Sequence, residues 1–502
     1  MKYGPSLLFF PGMKTSRCFP FAISLMLVAL PLCAQGPATA AAGWEAVPGI
    51  LARIRAPQFP ARDFPITDFG AKGDGTTDCT EAIAQAIAAC HAAGGGRVVV
   101  AGGTFLTGAV HLQSNVNLHI AEGATLLFSP DPAKFLPVVR ARFEGTECMN
   151  YSPLIYAFEQ ENLAVTGQGT LDGSATAQTW WALGRTRAAN GVAAVNSGRL
   201  LVEMAGKGVP VEQRVFGAGH GLRPNFIVPY RCKNILIEDV HIVNSPMWEI
   251  NPVLCTNVTV RGVNISSHGP NNDGCDPDSS RDVLIENCVF DTGDDCIAIK
   301  SGKDADGRRV GVPSENLIIR NCTMKDGHGG VVLGSENSGG IRNVFAENCQ
   351  MDSPNLQRAL RLKTNALRGG ALENVFFRNV AVGRVSHSIL TIDLVYGRIT
   401  DGPFPPTVRN VVMENVTVAS CPRVLSVVGT AQSVIEGVCI ANCTFRGVEG
   451  ADILTNSGAV SYQNVTVEPA TARPPTAASA RAREAAPGAA PAAPVPSQSS
   501  QD

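Results

Sequence analysis

Charge is scarce in this chain and almost balanced: 17% of its 502 residues are charged, with 41 Lys and Arg against 43 Asp and Glu. That profile excludes a disordered acidic tail and a coiled coil, and the lack of any basic excess excludes nucleic acid as a partner. Long apolar runs are also missing. The longest, Phe19 to Leu32, is 14 residues with a proline close to each end, too short to span a bilayer, so no stable membrane anchor is expected. No His or Cys spacing resembles a zinc site, no serine triad is legible, and Gly94 to Gly96 reads as a helix end before a strand, not a phosphate loop.

What is present is 45% hydrophobic residues, enough for a large core, with 51 Gly, 33 Pro and 15 Cys. Length alone suggests about three domains, but elongated repeat folds break that rule, so repeats take priority. At the start, Met13-Lys14-Thr15-Ser16-Arg17, the apolar run and the small residues after Cys33 read as a secretory signal over 1–34, which predicts a secreted or periplasmic protein. Residues 35–63 read as an N-terminal linker. From 470 to 502 the chain turns to Ala, Pro, Ser and Gln and cannot bury enough apolar area to offset ordering entropy, so a disordered tail is expected.

The second half repeats one phrase: Arg281 to Asp291 (RDVLIENCVFD), Glu315 to Asp326, Arg342 to Asp352, Glu373 to Val382, Arg409 to Val418 and Glu436 to Phe445. Its central Asn falls at 287, 321, 348, 379, 415 and 442, in steps of 34, 27, 31, 36 and 27. Apolar residues alternate with period two on each side of that Asn, and the phase slips by one across it. Such a slip requires a bend, Asn tolerates the left-handed backbone a bend needs, and stacked Asn amides can bond up and down a stack. The pattern predicts an all-β, single-stranded right-handed parallel β-helix over 64–469, with coils about 4.8 Å apart.

The cysteines at 288, 322, 349 and 443 share a slot with Val380 and Val416, which predicts buried thiols instead of a disulfide framework. Asn321, Asn415 and Asn442 head glycosylation-like triplets, yet they sit on the expected bend, so the structural role is preferred. Ile83, Ala86, Ile87 and Cys90, after Thr77-Asp78 and before Gly94, predict an amphipathic helix that caps the first coil.

Carboxylates crowd between 271 and 295: Asp273, Asp276, Asp278, Asp294 and Asp295. Neighbouring coils can bring such groups face to face, where they raise one another's pKa and divide into acid and base, as glycosidase chemistry requires. For Asp278, Asp282 and Asp291 a turn role is preferred. His328, between two glycines, follows the same strand pair one coil on. Arg361 and Lys363 are two apart on a strand and share a face, suited to a substrate that carries its own carboxylate.

The four motifs Asn271-Asn272-Asp273, Gly293-Asp294-Asp295, Gly327-His328-Gly329 and Arg361-Leu362-Lys363 resemble the signature of glycoside hydrolase family 28, the polygalacturonases, over about Phe64 to Val467. That resemblance implies Asp294 as general acid, Asp273 and Asp295 as bases that activate water for inversion, His328 as support for the acid, and Arg361 and Lys363 as uronate ligands. Asn272 stands where the family usually has Thr, and Leu362 replaces the usual Ile. Segments such as Arg142 to Ala157 and Ser245-Pro246-Met247-Trp248 resemble the bacterial branch, in which exo-acting enzymes are common. In that branch Lys300, Arg223, Arg142 and Glu144 are candidate substrate contacts, each equally readable as an ion-pair partner, and the resemblance adds Asn271 as a substrate contact. Asn251 replaces a His frequent there. Trp180 and Trp181 could stack on sugars or pack a loop.

The expectation is therefore an exported, inverting hydrolase of α-1,4-galacturonosidic bonds in pectin, needing neither metal nor cofactor and acting as a monomer. Exo action is preferred because insertions at 129–151 and 175–223 could wall off one end of a cleft. Rhamnogalacturonan or xylogalacturonan hydrolysis is an alternative within the family. Outside it stand a calcium-dependent pectate lyase, since the acids could hold a hard cation, and a non-catalytic carbohydrate-binding β-helix.

Overall fold

The computed structural model describes residues 43–183 and 196–470 of the chain; the signal expected at 1–34 and all but the first residue of the expected tail lie outside them. Each repeat phrase forms two short strands and a bend, and successive coils stack in parallel register. Val283, Leu317, Val344, Val375, Val411 and Val438 stand one above another inside the stack, all buried. Two 13-stranded parallel sheets result, from Asp63–Pro65 to Val460–Gln463 and from Asp74–Asp78 to Thr466–Pro469. A third is three-stranded in the early coils and six-stranded from Ile297–Ile299 onward, with isolated bridges through Ile250 and Cys275 joining them. The whole is a right-handed parallel β-helix.

The bend is as expected. Asn287, Asn321, Asn348, Asn379, Asn415 and Asn442 have φ between 52° and 58°. Their amides form a ladder, Asn379 Nδ2 to Asn348 Oδ1 at 3.3 Å and Asn415 Nδ2 to Asn379 Oδ1 at 3.2 Å. A second ladder, not anticipated, runs five residues earlier: Asn316 donates to Asp282 at 3.1 Å, Asn343 to Asn316 at 3.0 Å, Asn374 to Asn343 at 3.0 Å and Asn410 to Asn374 at 2.9 Å. Asp282 is thus a ladder terminus. The cysteines at 288, 322, 349 and 443 are free and buried.

Helix α1, Val47–Arg53, corrects the linker reading of 35–63. Trp44, Val47, Ile50 and Ile54 pack across the outer face of the first sheet on Leu284, Ile318, Phe345, Phe376 and Val412. The strands there are apolar on both faces, and each large side chain taken from water contributes roughly 1.5–3 kcal/mol, so that outer stripe needs a cover. Arg53 pairs with Asp282 at 2.7 Å and fixes the helix end. Helix α2, Thr80–Ala92, buries Ile83, Ala86, Ile87 and Cys90 over the first coil, the lid that the apolar spacing predicts.

The insertion at 129–151 forms the antiparallel hairpin Val139–Phe143 and Thr146–Asn150, extended by Val215–Phe216 from the second insertion. Val139 packs on Tyr156, Val228, Tyr230 and Val253, the outward apolar side chains of the third sheet in the early coils. From Asp276 onward that face carries polar and charged groups instead. The hairpin touches that polar region at Lys303, through Gly145 and Glu144.

Candidate active site

In the third sheet Ile297, Ile299, Leu360 and Leu362 point into the core, so Ala298, Lys300, Arg361 and Lys363 point out. Asp278 pairs in register with Lys300, and Val332 with Arg361, which lays the four motifs across consecutive strands at about 4.8 Å per step. One oxygen each from Asp273, Asp294 and Asp295 comes within 4.8 Å of the others. Gly293 makes this possible. A side chain there would strike the backbone of His268 and Gly269, so only glycine lets the chain turn and bring both following aspartates to one site.

Asp294 is the most open of the three, and His328 Nδ1 stands 2.9 Å from its Oδ1. Burial alone would raise the Asp294 pKa, but the His328 hydrogen bond, Lys363 and the histidine charge outweigh it and hold the carboxyl at about 2. The same hydrogen bond raises His328 above its ordinary value. The pair therefore rests as carboxylate and imidazolium with one proton on the shared line. Asp295 is fully buried, with Lys363 Nζ at 2.7 Å from Oδ2 and Arg361 at 3.6 Å from Oδ1. Lys363 stays charged: burial opposes its charge and Asp295 overcomes that.

Asp273 is 3% exposed, and burial, then Asp276 and Asp294, push its pKa well up. Asp276, unassigned in the sequence beyond its place in the acidic cluster, is fully buried and pushed up to about 8, with burial the first cause. Lys300 Nζ lies 3.5 Å from each of these acids and 3.3 Å from Glu336, above the ring of Trp248 at 4.2 Å.

The outer contacts expected from the sequence turn out otherwise engaged. Arg142 is buried and pairs with Asp278 at 2.9 Å, so it belongs to the wall and not to an open subsite, and Asp278 is a buried ion-pair partner in place of a simple turn residue. Arg223 donates to Asn271 Oδ1 at 2.7 Å and to the carbonyls of Pro246 and Pro270, which shapes the loop that presents Asp273. Glu144, at the hairpin turn, pairs with Lys303 at 2.9 Å. Asn272 accepts from Ser267 and Gly269 and donates to two carbonyls, every polar atom satisfied without the usual Thr. Asn251 accepts from Asn225 and donates to the Asp276 carbonyl. Trp180 is buried against Phe135, and Trp181 donates to the Ser245 carbonyl while covering Gly269, so both pack the loop.

Sequence reasoning missed Glu336 and Tyr396. The Tyr396 ring lies 5.6 Å from the Arg361 guanidinium and 5.3 Å from Lys363 Nζ, placing an aromatic face beside the two cations. No motif marks either residue; the spacing of one coil after Lys300 for Glu336 and after Arg361-Leu362-Lys363 for Tyr396 is the only signal.

A family model described as glycosyl hydrolases family 28 matches residues 203–469, and one described as rhamnogalacturonase A/epimerase, pectate lyase-like, matches 64–120. Over 408 residues the chain is 29% identical to a probable polygalacturonase of Vitis vinifera, covering 77% of this chain and 74% of that protein. Over 375 residues it is 31% identical to the exo-poly-alpha-D-galacturonosidase of Dickeya chrysanthemi, covering 70% and 61%. The crystal structure of a hyperthermoactive exopolygalacturonase from Thermotoga maritima matches with a TM-score of 0.82 and 45% identity, over 86% of this chain and 96% of that one.

Proposed function

The chain belongs to glycosyl hydrolases family 28, and from that premise we propose that it is an exo-acting polygalacturonase that hydrolyses the galacturonosidic bonds of pectic galacturonan. The observation that carries this reading is the Asp294–His328 pair beside Asp273 and Asp295, on the polar outer face of the third sheet, which the 139–150 hairpin flanks through its contacts with Lys303. We take that hairpin to close one end of the binding face, which would accept a chain terminus and exclude a through-running polymer.

In the mechanism we assign, His328 keeps the transferable proton on the line to Asp294, and Asp294 delivers it to the glycosidic oxygen as the bond breaks. Asp273 and Asp295 accept hydrogen bonds from a water that attacks the opposite face of the sugar. Lys363 and Arg361 damp the nucleophilicity of Asp295, which favours its use as a water acceptor over a covalent glycosyl link. The carboxylates are closer than the 6.5–9.5 Å usual for inverting pairs, and their separation alone would favour retention. Inversion therefore rests on that damping and on the family resemblance. Arg361 and Lys363, beside Tyr396, bind the uronate carboxylate next to the scissile bond.

The test is reducing-end release against viscosity on polygalacturonic acid. Exo action gives reducing ends with little early fall in viscosity; an early collapse of viscosity would refute it. We also propose export, supported by the basic, apolar and small-residue succession of residues 13–34. N-terminal sequencing of protein recovered outside the cytoplasm tests it, and an intact Met1 or Met13 would overturn it.

A further inference from the structure

The mechanism assigned above needs Asp273 ionised, and its surroundings oppose that. Oδ1 of Asp273 accepts no hydrogen bond among the described residues, and the cation beside it, Lys300, is 3.5 Å away and shared. Asp276 lies at the same distance from that ammonium, fully buried, with neither oxygen accepting a hydrogen bond among the described residues. Glu336 is the third claimant at 3.3 Å. A buried carboxylate without a cation or hydrogen-bond donors takes up a proton instead of standing charged.

The three are not equal. Glu336 accepts from the Ser335 hydroxyl at 3.0 Å, and although burial opposes its charge, Lys300, Lys303 and Arg368 hold its pKa low. It is ionised. From the following strands Asp294 is occupied by His328 and Asp295 by Lys363, so neither yields a cation to Asp273. From the preceding coil Glu249 faces the same region, buried, its pKa raised by burial, and it brings no positive charge. Asp273 and Asp276 are left with one share of one ammonium and therefore one proton between them.

We propose that Asp276 and Lys300 are positioning residues for the water-activating carboxylate: Asp276 takes the shared proton so that Asp273 is the ionised member, and Lys300 stabilises that charge. This rests on the polygalacturonase reading of the site. In the step the O–H bond at Asp273 breaks and one forms at Asp276, with no other proton gained or lost. The pair is then a device that decides the pH at which the base becomes available.

The experiment is the pH profile of kcat/KM on a galacturonate oligomer, together with melting temperatures, for wild type, Asp276→Asn, Lys300→Arg and Lys300→Met. The Asn amide stands in for the protonated Asp276, so the acidic limb of Asp276→Asn should move by less than about one pH unit. Lys300→Met should move it up by at least about one pH unit, and Lys300→Arg should leave it near the wild type. A folded Lys300→Met with an unmoved acidic limb, an acidic limb of Asp276→Asn moved down by more than about one pH unit, or loss at every pH with a raised KM, would overturn the proposal. Should Asp276→Asn fail to fold, the contrast between Lys300→Arg and Lys300→Met carries the same decision. A wild type inert on galacturonan would refute the functional reading alone. Infrared titration then decides the inference: a protonated-carboxyl band lost near the Asp276 value of about 8, and missing in Asp276→Asn, supports it, and its absence from the wild type overturns it.

Discussion

His328 Nδ1 and Asp294 Oδ1 stand 2.9 Å apart, a contact between residues 34 positions apart in sequence, and the proposed mechanism keeps the transferable proton on it. Asp294→Asn removes both the acid and the partner that keeps His328 protonated. Turnover on polygalacturonic acid is expected to fall by at least about a hundredfold with circular dichroism unchanged. Wild-type turnover in that variant would take Asp294 out of the mechanism.

The raised His328 value sets an alkaline limit. A group whose folded pKa lies above its unfolded value gives stability that is full below the unfolded value and is lost as pH rises through the folded one. Activity and part of the thermal stability should therefore fall together on the alkaline side, from the ordinary histidine range upward. His328→Gln should remove the shared alkaline step from the melting-temperature profile and lower kcat more than it raises KM.

Arg142 separates a wall residue from a substrate contact. Arg142→Ala strands the Asp278 carboxylate in the interior, and breaking a buried pair in this way costs about 3–5 kcal/mol. The melting temperature should drop sharply while KM for a short oligomer changes little. A raised KM at unchanged stability would return Arg142 to the list of ligands.

The repeat was legible because its information is local. Each Asn bend and each buried Cys slot is set within a few residues, so reading the phrase from Arg281 to Phe445 was enough to place coils, bends and three of the four motifs. What the sequence hid depends on partners far away. The strap formed by Trp44 and α1 has meaning only against Phe345 and Phe376, and Arg142 only against Asp278, 136 positions on. Glu336 looks like a loop residue until the coil register brings Lys300 to it.

The hairpin turn supplies a direct test of the proposed closed end. Gly145 accepts from the Lys303 amide at 2.9 Å, and Glu144 pairs with the Lys303 side chain, which latches the turn. Replacing Phe143–Gly145 and its flanks by a shorter turn should open that end. Oligomers of several units should then appear among the products, whereas an unchanged product pattern would place the exo determinant elsewhere.

Stereochemistry bears on Asp295. Proton NMR of the first product should show the anomer opposite to that of the substrate bond, as expected when Asp273 and Asp295 hold water between them. The retained anomer would make one of the two a nucleophile and would fit their close spacing.

The most direct test of the whole account is mass spectrometry of the products released from polygalacturonic acid, with and without EDTA. The account predicts one short saturated product, galacturonate or its dimer, accumulating from the first turnovers and unaffected by the chelator. Unsaturated product that disappears with EDTA would contradict it, because the carboxylates at Asp273, Asp294 and Asp295 would then serve a cation and an elimination in place of a proton and a water.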